Sequence, residues 1–93
     1  MANDIRRRPW LLDTASASPV KANSTFTTGF VFRDYTGGAG SLAVLKDDAG
    51  RTICKLPGDA SGAPVSEAWY QFQAIQGLTL SQIDSGVVEV IVR

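Results

Sequence analysis

Few side chains in this 93-residue chain are equipped for chemistry. It has one cysteine, Cys54, and no histidine, so zinc ligation by the usual nitrogen and sulfur sets lacks ligands. Ser-His-Asp and Cys-His nucleophile systems are excluded for the same reason. Cys54 falls inside a strand pattern with nothing that marks it for a lowered pKa, so a small buried thiol is expected. Asp47 and Asp48 are adjacent carboxylates, but they stand in a tight turn where Asp is favoured for turn geometry alone. The D-x-D-x-D-G calcium loop with its closing Glu is missing. Gly37-Gly38-Ala39-Gly40 has the composition of a phosphate cradle. That use needs a following helix N-terminus, whereas SLAVL reads as a strand, so a hairpin loop is expected. Trp69 and Tyr70 can offer a stacking platform for a sugar, although a core or subunit-interface role suits the pair better. No enzymatic activity, cofactor or metal, and no small-molecule substrate, is expected.

Nine basic and nine acidic residues cancel, with a pI near 6.1, which does not advertise a nucleic-acid partner. No apolar run approaches the ~20 residues of a membrane span, and Asp13 directly after Trp10-Leu11-Leu12 cuts short any signal-peptide core. Synthesis and folding in a cytoplasm are the expectation. Three consecutive arginines, Arg6, Arg7 and Arg8, close a polar stretch, MANDIRRR. Residues 1–8 are expected to form a flexible basic arm, with an acidic protein surface as its target if it is used. Residues 9–93 form one small domain; a chain of this length has a thin stability margin and gains from association.

The elements that must position these residues are strands. Ser41–Leu56 reads as a β-hairpin closed by Asp47-Asp48-Ala49-Gly50, with Gly50 supplying a positive φ. In it Thr52, Cys54 and Leu56 share one face, and the other arm is apolar on both. Thr25–Tyr35 is the strongest strand; Phe26, Thr28, Phe30 and Phe32 alternate onto one face, expected to be core. Gly29 inside that run predicts a bulge or the close approach of another backbone. Ser66–Gln76 fits period 2, with Ala68, Tyr70, Phe72 and Ala74 on one face. It also fits a helix capped by Ser66 and ended by Gly77; the strand is preferred because its neighbours are strands. Pro9 to Leu12 and Val87–Arg93 read as strands. Leu78-Thr79-Leu80 is extended, and Ser81–Gly86 is expected to turn. Asp13–Ser24 reads as loop or edge strand, with Pro19 placed to open a second short strand. Val88, Val90 and Val92 share one face of the last strand, and both of its faces are expected to be covered, by sheet, loop or partner. Seven or eight short strands between Gly/Pro/Ser turns predict an all-β antiparallel sandwich or barrel.

The opening PWLLDTASASPV, the central DDAGRTI between strands and the closing GLTLSQIDSGVVEVIV resemble small β-sandwich virion proteins of tailed bacteriophages. The resemblance spans most of residues 9–92 and leaves the arginine arm outside. It implies a virion structural component, a capsid decoration or cement protein on the outside of the shell. The implied partners are the major capsid protein and copies of itself, as a symmetric oligomer and in the working expectation a trimer. On this view Arg6, Arg7, Arg8, Pro9, Trp10 and Leu11 form the interface, with Trp10 as its anchor. A tail or neck component, a host-surface carbohydrate or receptor binding module, and a non-virion inhibitor acting through an edge strand are the alternatives.

Overall fold

The computed structural model describes residues 3–6, 8–16, 18–21 and 23–92. Period-2 alternation resolves into seven strands in it: β1 (Trp10–Leu12), β2 (Ser24–Arg33), β3 (Leu42–Lys46), β4 (Thr52–Pro57), β5 (Val65–Gln76), β6 (Thr79–Ile83) and β7 (Val87–Val92). One antiparallel sheet has the order β1-β7-β2-β5 and the other β4-β3-β6. The fold is all-β, consistent with a small sandwich. Between the sheets lie Trp10, Leu12, Phe30, Phe32, Val88 and Val90 from the first, and Ala43, Leu45, Cys54, Leu56 and Leu80 from the second. Burying Phe30 and Phe32 contributes about 1.5–3 kcal/mol each.

The central hairpin forms as its sequence implies. β3 and β4 pair, and Asp47, Asp48, Ala49 and Gly50 close the turn with Gly50 at φ 82. Gly37 to Gly40 make a single 3-10 turn rather than an anion cradle. Ser66–Gln76 is strand throughout, within β5. Residues 81–83, expected to turn, extend β6 instead, because β3 supplies them with a ladder partner through Ala43↔Ile83 and Val44↔Gln82. No strand forms at Pro19; the neighbouring Ser16 and Val20 donate to the Leu80 and Leu78 carbonyls.

The Phe26 expectation is corrected by the bulge at Gly29. The β2 register shifts between Thr27 and Gly29 against both β5 and β7. An extra residue in a strand moves everything beyond it to the opposite face. Phe30 and Phe32 therefore point into the core while Phe26 is 44 % exposed, and Thr25 and Thr27 turn inward in its place.

Residues 3–6 do not stand free of the domain. Asp4 and Leu11 exchange backbone hydrogen bonds of 2.8 and 2.9 Å. Asn3 Oδ1 accepts from Asp13 N–H and Thr14 N–H, and Ile5 packs against the core. This stretch folds back along β1, because β1 pairs β7 on one side and leaves its other edge to be satisfied.

Candidate interaction surface

The six residues singled out in the sequence scatter over different environments. Trp10 is 7 % exposed and belongs to the core, with Lys21 Nζ 5.9 Å from its ring centroid. It offers a partner little area, so the anchor role falls away from it. Burial follows from register: Trp10 pairs Val90, and paired residues of an antiparallel ladder share a face. Leu11, opposite Glu89, points outward instead. Arg6 and Arg8 are exposed, with Arg6 Nε 3.3 Å from Asp4 Oδ1, and Pro9 is exposed beside Arg8. Arg7 lies outside the described residues.

The largest apolar exposure lies on β5 and the outer face of its sheet. β5 is an edge strand, paired on one side only. Its ladder with β2 runs from Gln76 to Gln73 and resumes at Ala68 opposite Gly29. Trp69, Tyr70, Gln71 and Phe72 thus stand against Thr28 alone and bow away from the sheet. Such a wide bulge breaks pairing at an edge and re-aims side chains. Tyr70 is fully exposed at 107 % and Phe72 at 42 %, so the expected apolar face of β5 is turned to solvent. Trp69 turns back. Its ring meets Phe30 edge to face at 5.5 Å and 86°, and its Nε1–H donates to Glu67 Oε2 at 3.1 Å. Together Ala68, Trp69, Tyr70, Gln71 and Gln73 border an open groove of about 710 Å³, with no charged side chain in its lining among the described residues.

Beyond β5, the outer face carries Val31, Val87 and Ile91, crossed by the Arg33 Nε–Glu89 Oε1 ion pair at 2.6 Å. That hydrogen bond is the main reason the Arg33 pKa is raised. Ile91 remains 42 % exposed, so within this chain sheet and loop cover one face of β7 and leave Ile91 open on the other.

Titratable groups elsewhere are tuned by structural bonds. The Asp47 carboxyl is lowered chiefly by accepting the Arg51 backbone N–H, helped by the Arg51 guanidinium and the Ala49 N–H. Asp59 is lowered by the hydroxyl and then the N–H of Ser61. Burial pushes the Cys54 thiol up to about 12, and the Glu67 carboxylate adds to the shift. A thiol so held is a poor nucleophile. No group of three His, Cys, Asp or Glu is placed to hold a metal among the described residues. The groove offers aromatic faces and amide groups, with the Glu67 carboxylate engaged by the Trp69 indole at its edge.

The β5 bulge is the feature that sequence reasoning missed. Three aromatics within four residues were its signal, but alternation alone assigns them to one pleated face. No protein-family model, curated protein or solved structure matches the chain.

Proposed function

We propose that this chain is a non-enzymatic structural protein of a bacteriophage virion, a capsid decoration protein that binds the outside of the shell and stabilises it through subunit contacts. The virion assignment comes from the resemblance of residues 9–92. The docking surface comes from one observation: Tyr70 and Phe72 project from a bulged edge strand of the sheet that also exposes Ile91 on β7. Aromatics on a rigid scaffold give large contact area at low entropic cost, as an adhesive protein requires. The β5 edge and the outer face of the four-stranded sheet are accordingly the shell-facing side, in place of Trp10. Quantitative mass spectrometry of purified particles tests this directly. A copy number comparable with the major shell protein supports decoration, and absence from the particle sinks it.

A second reading draws on the same groove. Trp69 and Tyr70 with the uncharged amides of Gln71 and Gln73 suit a neutral sugar, which favours a tail, neck or host-surface binding module. A few copies per particle, together with tryptophan fluorescence that responds to a panel of neutral oligosaccharides, would select that reading.

A further inference from the structure

At the start of β2 the folded-back N-terminal segment and the domain enclose a second cleft, of about 540 Å³. Among the described residues Arg6, Arg8 and Lys21 line it, and no Asp or Glu does. Arg6 is engaged by Asp4 at its rim, whereas Arg8 and Lys21 have no carboxylate partner among the described residues. In a chain whose charges cancel overall, three cations around one concavity are a local excess.

Thr25 supplies the second, independent observation. It lines the same cleft, is 3 % exposed, and its Oγ1 is buried without a hydrogen-bond partner among the described residues. A hydroxyl in that state carries its full desolvation cost, and native proteins leave few such groups unmatched. An acceptor oxygen satisfies it once the lining of the cleft parts enough to uncover the hydroxyl. Of the remaining lining Ser24 is polar and donates to Gln76 Oε1, whereas Ile5, Trp10, Phe26 and Val92 are apolar. A cleft with cations at the rim, an orphan donor and an apolar floor matches an oxyanion carried on an apolar body.

We propose that this cleft binds a carboxylate side chain from a short acidic, partly apolar peptide segment of a partner protein. Arg8 and Lys21 hold the carboxylate, the Thr25 hydroxyl donates to it, and apolar neighbours of the acidic residue rest on the half-exposed ring of Phe26. The proposal is independent of the virion reading, because it concerns the isolated chain and a peptide.

The test uses the full chain and a fluorescein-labelled peptide of alternating Glu and Leu, read by anisotropy at low salt. The expected result is binding at least about tenfold tighter than for the Gln-for-Glu analogue, lost as salt screens the charges. Arg8→Gln and Lys21→Gln should each weaken it about fivefold. Thr25→Val is the decisive variant. Removing an unpartnered hydroxyl preserves or raises the unfolding midpoint, so a fall in peptide affinity without a fall in stability reports the donor role. Equal binding of the two peptides, or unchanged affinity in Thr25→Val and Lys21→Gln, overturns the proposal. Displacement by inorganic phosphate with no contribution from the leucines, or tighter binding of a short oligonucleotide, overturns it in favour of another anion.

Discussion

Thr27 Oγ1 accepts the Gly29 N–H at 3.2 Å, and its own proton reaches the Ile91 carbonyl at 2.8 Å. One fully buried hydroxyl thus serves two backbone groups at the place where the β2 ladder breaks. Thr27→Val keeps the shape and strands both groups, which should destabilise by about 1–3 kcal/mol. Gly29→Ala attacks the same joint sterically, since a Cβ there would lie 2.2 Å from the Glu67 carbonyl oxygen. It should cost about 1–3 kcal/mol as β5 is forced away. Urea unfolding checks both, and an unchanged midpoint for Gly29→Ala would refute the close approach.

Tyr35 anchors the loop that precedes β5. Its ring stacks on Phe32 at 4.6 Å, and its hydroxyl accepts the Asp59 N–H at 2.7 Å while donating to the Ala63 carbonyl. Tyr35→Phe retains the stacking and removes both bonds. A loss of about 1–2 kcal/mol is expected, with faster amide exchange at Asp59. Exchange that quickens equally everywhere would point to global destabilisation instead.

Cys54 should make stability alkaline-sensitive. Its thiol pKa is raised from 9.0 to about 12 in the folded chain, first by burial and then by Glu67. The unfolded chain therefore loses its proton first. The stability from this group is intact below pH 9 and is lost as pH rises toward 12. Cys54→Ala should show a shallower fall in urea midpoint from about pH 8 to about pH 10.5. Native protein should also resist alkylation until it unfolds. Parallel pH profiles for the two proteins would contradict the assignment.

Asp47 works in the opposite sense. Its folded pKa lies below the ordinary 3.8, mainly through the Arg51 backbone N–H. Its stabilising effect is present above that value and disappears as pH falls through the folded pKa. Asp47→Ala should unfold earlier than the wild type near neutrality, and the gap should close in acid. A gap that persists at low pH would mean the carboxyl acts by packing and not by charge.

Tyr70 and Phe72 separate binding from folding. Both are exposed, so Tyr70→Ser with Phe72→Ser should change the unfolding free energy by no more than about 0.5 kcal/mol each. Occupancy on particles should fall at least about tenfold if these rings are central contacts. Full occupancy for the double variant would remove the β5 edge from the docking surface.

Local alternation and turn chemistry were enough to determine that this protein is built of strands. DDAG with Gly50 closes its hairpin, Gly29 marks a bulge, and Cys54 lies in the core; each depends on one residue's own steric or polar preference. The tertiary structure decided which face each strand presents and which strand is left at an edge. Phe26 lost its expected place because one shifted position in β2 reversed the parity around Thr27 and Gly29. Trp69, Tyr70 and Phe72 parted company because β5 has four residues where β2 offers only Thr28. Trp10 went inward because Val90, eighty positions away in the chain, sits opposite it. The orphan hydroxyl of Thr25 and the cations of Arg8 and Lys21 met only when the N-terminal segment folded back. Pairing partners so distant in sequence leave no local pattern, because register between strands is set by the packing of the whole sandwich.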